Sequence, residues 1–261
     1  MNEKPIPHLL TNITWKSTKS SDYQVAVLPW GATEAHNFHL PYGTDTIIAE
    51  KLSAESARIS NANGGKIIVL PSIAYGVNTG QTDIKFDMNL NPSSQFVILR
   101  DIITVLNRQE IYKLVILNTH GGNDFKQIIR ELNLLFPQMF LCQCNSFNIT
   151  GIHNFVELMG EHADELETSM MLYLAPELVL PLSEAGTGKA KKFKIKALQE
   201  GWVWAERKWT QVTEDTGIGN PKKASKEKGE QIFKHATKRI SLFLLKLQIT
   251  QRKDLYSDEI L

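Results

Sequence analysis

Four short apolar runs, each separated from the next by a stretch of helical period, restrict this chain to one kind of architecture. Gln24–Pro29 (QVAVLP), Lys66–Leu70 (KIIVL), Lys113–Leu117 (KLVIL) and Met139–Cys144 read as strands. Between them, Thr46–Ser60 places Ile47, Ile48, Leu52 and Ala57 on a helical stripe, with Thr44 or Asp45 positioned to cap it. Ser93–Asn107 carries an inner stripe of Phe96, Leu99, Ile103 and Leu106, and Phe125–Leu135 is a third helix. Strands alternating with helices of this length imply right-handed βαβ crossovers. The expected fold is therefore α/β, with a mainly parallel sheet covered by helices on both faces. Glu167–Leu174 reads as a further helix and Lys222–Leu247 as a long terminal one. Ser183–Asn220, rich in Gly, Lys and Trp and without a period, reads as an elaborated loop region. With no internal repeat and no linker-like tract, residues 1–261 are expected to form a single domain.

Composition narrows the partners. The 42% of hydrophobic residues suffices for a full core without disulfides or a structural metal. Charges nearly cancel, 29 Lys+Arg against 28 Asp+Glu, which excludes the basic excess of a general nucleic-acid binder. The Lys-rich run from Lys189 to Lys196 is a local exception and reads as a solvated face. Cys142 and Cys144 lie two apart on a strand and point the same way, as adjacent buried thiols. Sparse cysteine fits a reducing compartment. Met1–Leu10 lacks the basic start and apolar run of a secretory signal, and no stretch approaches the ~18 apolar residues of a membrane span. A soluble, cytoplasmic protein without a membrane partner is expected.

Ligands of open α/β sheets bind beyond the carboxyl ends of the strands, and two such ends are rich in metal-ligating side chains. After the first strand comes Gly31-Ala-Thr-Glu34-Ala-His36-Asn-Phe-His39-Leu-Pro41-Tyr-Gly43-Thr44-Asp45. Glu34 and His36 share a side on extended chain, and the Pro41–Gly43 turn can return Asp45 towards them. After the third strand comes Asn118-Thr-His120-Gly121-Gly122-Asn123, whose glycines permit a tight turn. A third segment, Gly160 to Ser169, sets Glu161, Asp164, Glu165 and Glu167 around His162. Imidazole with carboxylate suits zinc, manganese or iron, and a carboxylate such as Asp45 can bridge two ions ~3.5–4 Å apart. Each piece alone has an ordinary explanation, an exposed loop histidine or an acidic helix start complementing its dipole. Their joint occurrence points to a metal centre.

The run LPWGATEAHNFHLPYGTD resembles the signature of the creatininase family. NTHGGN, HADELETSMML and DTGIGNPKKASKEKG resemble its later motifs in the same order, across residues 25–230. The resemblance implies an α/β fold, two divalent ions per chain (Zn, Mn or Fe), hydrolysis of an amide or cyclic amide, and a homo-oligomer, commonly a hexamer. It implies Glu34 and His120 as ligands of one ion, His36 as a ligand of the other, and Asp45 as the bridge. Creatinine-hydrolysing members carry a glutamate two residues after the second histidine and an aromatic directly after it. This chain has Gly122 and Gly121 there. It resembles instead a His-Gly-Gly-Asn branch in which Glu167 completes the centre, leaving Glu161 or Glu165 as replacements.

Two ions sharing a water lower its pKa from 15.7 towards ~7, and a departing nitrogen needs a proton, for which His162 is the candidate donor. The expected substrate is a small molecule with a non-peptide, including cyclic or formamide, C–N bond. A deformylase, a peptidase of the same family, and a non-catalytic metabolite-binding descendant are the alternatives. His39 is expected to orient the loop around Asp45. Trp202, Trp204 and Trp209 are read either as pocket lining or as packing. The two glycines after His120 are expected to leave the pocket open and turnover of creatinine negligible.

Overall fold

The computed structural model describes residues 7–256, so the ends of the expected domain and residues 1–6 of the stretch read for a secretory signal lie outside the described residues. Strands β1 (Val25–Trp30), β2 (Ile67–Val69), β3 (Lys113–Asn118) and β4 (Phe140–Asn145) form one sheet, parallel throughout, in the order β2-β1-β3-β4. Ala26 lies between Ile68 and Leu114, and Trp30 is level with Asn118. The longer helices are α1 (Thr44–Ala62), α2 (Pro92–Arg108), α3 (Lys126–Leu135), α4 (Glu165–Leu174) and α5 (Lys226–Ile249). From β1 the chain runs outward through α1 to β2, then returns past β1 through α2 to place β3 on its other side. The strand order thus reverses between β1 and β3, and loops leaving their carboxyl ends part in opposite directions. That divergence makes the crevice in which sheets of this kind bind ligands.

Side-chain alternation along the strands divides the core. Val25, Val27, Ile67, Val69, Val115 and Leu117 face α1, α4 and α5, packing with Ile48, Leu52, Met170, Ile232, Ile240 and Leu244. Ala26, Leu28, Ile68, Leu114 and Ile116 face α2 and α3, with Leu99, Ile103, Ile128 and Leu132. Each of these larger aliphatic side chains stabilises the fold by roughly 1.5–3 kcal/mol on burial. Both faces are covered, as the apolar runs predicted. Among the described residues no helix is long and apolar enough to cross a membrane.

Several boundaries differ from the sequence reading. The N-cap of α1 is Gly43, not Thr44 or Asp45; Thr44 instead donates its hydroxyl to Pro41 O (2.7 Å), and Asp45 sits in the first turn. Helix α4 starts at Glu165 because the Asp164 carboxylate accepts from Leu166 N and Glu167 N. Helix α5 starts at Lys226, capped by Ser225, while Pro221–Lys223 forms a separate 3-10 turn. Within 183–220 the irregular backbone includes two one-turn helices, Lys196–Gln199 and Trp209–Val212. Cys142 and Cys144 are half-buried rather than buried, because β4 is an edge strand of the described sheet.

Candidate metal centre

The loop after β1 doubles back on itself. Leu40 N donates to His36 O and Glu34 N to Tyr42 O, so the chain leaving β1 returns beside itself before α1 begins. Gly31 makes this return possible: a Cβ there would stand 2.5 Å from Thr46 N, inside the first turn of α1. Asn37 takes φ 53°, a left-handed conformation that asparagine tolerates. Its carboxamide accepts from Gly186 N, and Thr216 closes the far side by accepting from Asn37 N and donating to Ala35 O. Glu34 and His36 therefore reach the same point from a folded loop, not from an extended strand.

The turn after β3 is held by amides. Asn123 accepts from Val77 N and Gln95 Nε2 and donates to Asn118 Oδ1. Gly122 lies against His120: a Cβ there would be 2.5 Å from His120 Nε2 and 2.3 Å from Val77 O. The space beside Gly122 is thus filled by Val77 and by His120 itself, contrary to the expectation of an open pocket at both glycines. Beside Gly121 the space is open.

Three imidazoles converge from these loops and from the start of α4. Each donates one ring N–H to a backbone carbonyl: His36 Nδ1 to Glu34 O (3.0 Å), His120 Nε2 to Val77 O (3.0 Å), and His162 Nε2 to Ala35 O (2.9 Å). A carbonyl only accepts, so these bonds set the tautomers and leave His36 Nε2, His120 Nδ1 and His162 Nδ1 facing inward. Carboxylates meet them there. Asp45 Oδ1 is 3.3 Å from His36 Nε2, and its Oδ2 is 3.2 Å from His120 Nδ1. Glu34 Oε1 is 2.7 Å from His120 Nδ1 and 3.7 Å from His162 Nδ1. Glu167 Oε2 is 3.9 Å from His36 Nε2. Ligand atoms fall within 4.8 Å of one another in three overlapping groups: Glu34–Asp45–His120, His36–Asp45–Glu167 and Glu34–His36–His162.

The donor set fits divalent cations. His36 Nε2 and Asp45 Oδ2 are buried and have no partner in hydrogen-bond geometry, an arrangement costly to leave uncompensated. Burial opposes protonation of His36, but Asp45, Glu167 and Glu34 outweigh it and raise its pKa to about 10. His120 is raised in the same way by Glu34 and Asp45. Burial favours the neutral form of Asp45, but His36 and His120 overcome this and hold it below the usual carboxylate range. Glu167, which lies further from the imidazoles, is pushed up to about 8 by burial, with Asp45 and Asp164 adding to the effect. Protons and cations compete for such a cage, so metal uptake releases protons.

The acidic run around His162 separates into four tasks. Glu161 pairs with Arg207 (2.8 Å). Asp164 caps α4. Glu165 is buried, accepting from Glu157 N and Leu158 N and pairing with Lys228 (2.5 Å). Glu167 alone of the four reaches the cage, with Ala163 N donating to its Oε2 (2.6 Å), so Glu161 and Glu165 fall away as replacements. His39 bonds Thr168 on α4 (2.9 Å) and anchors that helix to the loop; it makes no bond to Asp45. Trp202 and Trp204 are exposed and away from packing, while Trp209 sets its ring against His162 (centroids 4.9 Å). Sequence reasoning missed Gln81, whose Nε2 donates to Glu34 Oε2, and Asp87, which accepts from Ala35 N (2.7 Å). Neither belongs to a motif.

Residues 11–244 match the family described as creatininase, creatinine amidohydrolase. The chain belongs to the creatininase family. Among curated relatives, the mycofactocin precursor peptide peptidase of Mycobacterium ulcerans is 26% identical over 224 residues, covering 82% of this chain and 81% of that one. The creatinine amidohydrolase of Pseudomonas putida is 25% identical over 192 residues, covering 64% and 72%. A crystal structure from Bacteroides fragilis NCTC 9343, provisionally assigned as a creatinine amidohydrolase, superposes with TM-score 0.91 at 36% identity, covering 97% of this chain and 100% of that one. A mutant creatininase of Zn–Zn type superposes with TM-score 0.78 at 21% identity, covering 95% and 100%, a likeness of fold. Within the family's α/β fold, the carboxylates and imidazoles described above occupy the switch point between β1 and β3.

Proposed function

We propose that this chain is a metal-dependent hydrolase of C–N bonds, of the His-Gly-Gly-Asn branch, holding two divalent ions per chain. The carrying observation is the inward-facing nitrogens of His36 and His120 set against the two oxygens of one buried carboxylate, Asp45. Glu34, Asp45 and His120 would hold one ion and His36, Asp45 and Glu167 the other, with Asp45 shared. When bound, ions of this charge make a water nucleophilic near neutral pH and polarise the carbonyl of an amide.

The remaining steps belong to the side chains. His162 presents Nδ1 to the cage while Ala35 O fixes its ring, so it takes up a proton at Nδ1 from the attacking water and returns it to the leaving nitrogen. The Trp209 ring shields that imidazole from solvent and keeps its orientation. Glu167, at 18% side-chain exposure, is the most open of the five candidate ligands, so substrate enters on its side.

We take the substrate to be an amide-bearing molecule larger than creatinine, a peptide or a formamide. Gly121 leaves room beside His120, and the curated relatives include one named for a peptide. The widening from non-peptide bonds to peptides follows from that relative. We place the protein in the cytoplasm as a homo-oligomer, a hexamer by resemblance, without nucleic-acid or membrane partners. The test is product analysis with Zn²⁺- and Mn²⁺-loaded protein on creatinine, formamides, cyclic amides and short peptides. Turnover of a peptide or formamide with negligible creatinine hydrolysis is expected; efficient creatinine hydrolysis would overturn the substrate class. Metal content well below one ion per chain after gentle purification would favour a non-catalytic metabolite binder instead.

A further inference from the structure

Gln81 ends the 3-10 turn Thr79–Gln81, far in sequence from every motif, yet its side chain is buried at 3% exposure against the cage. Its Nε2 donates to Glu34 Oε2 at 2.5 Å. An ionised carboxylate only accepts, so the amide must present its NH₂ here, and Gln81 Oε1 is left buried without a partner. That orphaned carbonyl is a cost the fold carries to keep the NH₂ on Glu34. The other Glu34 oxygen, Oε1, faces all three imidazoles: 2.7 Å from His120 Nδ1, 3.7 Å from His162 Nδ1 and 4.0 Å from His36 Nε2.

The turn is built to hold Gln81 in place. Gln81 N donates to Asn78 O, and Asn78, itself buried, is fixed by Asn89 Oδ1 and by the carbonyls of Thr33 and Met88. From outside, Thr79 bonds Glu206, and Gly80 lies so close to Arg207 that a Cβ would stand 2.2 Å from its carbonyl oxygen. Thr33 directly precedes Glu34, so the backbone that carries the carboxylate and the turn that carries the amide are tied together.

We infer that Gln81 is a positioning residue for the metal centre: by occupying Glu34 Oε2 it leaves Glu34 to bind one ion through Oε1 alone. This rests on the reading of the site as a two-ion centre. Without the amide, Glu34 is free to rotate and offer both oxygens, which adds a ligand to its own ion and loosens its aim. Groups that orient a ligand in this way typically contribute 10–100-fold to metal affinity.

The test compares wild type with Gln81→Met, close in volume but without a donor, and with Gln81→Leu as a second variant. Apo proteins are titrated with Zn²⁺ by calorimetry, bound ions are counted by native mass spectrometry, and Co²⁺-loaded samples are read by visible absorption. The expected result is one ion weakened roughly 10–100-fold, the other nearly unchanged, unaltered melting of the apo protein, and a weaker Co²⁺ absorption as coordination number rises. Wild type taking up two ions while the variants bind both equally well would overturn the inference and leave the metal reading standing. Equal weakening of both ions together with lowered melting would also overturn it, as a merely structural role. A wild type that takes up no Zn²⁺ would remove the metal reading and the inference together.

Discussion

Adding one methyl group at Gly229 should loosen the candidate centre from a distance. Gly229 lies in the first turn of α5, and a Cβ there would stand 1.8 Å from Ser169 O and 2.5 Å from Ser169 C on α4. Both obstacles are backbone, so no rotamer change relieves them. An ordinary carbon–oxygen contact lies near 3.3 Å, and the two helices must therefore part by about 1.5 Å at this crossing. Overpacking of this kind costs about 1–3 kcal/mol, offset by up to ~1 kcal/mol of improved helix propensity. A net loss of about 1–2 kcal/mol corresponds to roughly 2–8 °C in melting temperature for a chain of this size. Ser169 is two residues from Glu167, whose carboxylate is 3.9 Å from His36 Nε2, so the same displacement draws Glu167 out of ligand range. Gly229→Ala should therefore melt earlier by circular dichroism and lose the ion proposed for His36, Asp45 and Glu167 while keeping the one proposed for Glu34, Asp45 and His120. A variant with wild-type melting and both ions, measured by native mass spectrometry, would refute the reasoning.

Other substitutions separate the remaining contributions. Asp45→Asn should deplete both ions, each by more than the ~100-fold typical of an orienting neighbour, whereas His36→Ala should deplete mainly one; equal losses in metal analysis would count against Asp45 as the shared ligand. Gly122→Ala should break the His120–Val77 bond, because its Cβ meets both partners; loss of Zn²⁺ with retained helicity is expected. Burial pushes the Cys142 thiol up to about 12 and Cys144 to about 11. These raised values contribute stability that is complete below the unfolded thiol pKa near ~8.5 and is lost as pH rises through 11–12. At pH 8 both thiols should therefore resist iodoacetamide in the folded protein and react once it is unfolded in urea, as mass spectrometry would record.

The sheet, its helices and their order were legible in the sequence, because strand and helix periods are local and each apolar run lies within one element. Glu34, His36, Asp45 and His120 were legible as candidates, because they flank the strand ends where ligands of such sheets bind, and the fold brings them together. Glu167 was named through resemblance, and only the fold separates it from Glu161 and Glu165: Asp164 caps α4, whose first turn aims residue 167 at His36, while 161 pairs with Arg207 and 165 with Lys228. Helix starts such as Gly43 and Ser225 were misplaced because several neighbouring residues can cap and packing selects among them. Gln81 carried no signal at all, and Trp209 could not be told from Trp202 and Trp204. Their roles arise from contacts distant in sequence, Gln81 reaching Glu34 across 47 residues and the Trp209 ring meeting that of His162. Spacing along the chain determined which chemistry was available; only packing decided which of several chemically equivalent side chains would meet.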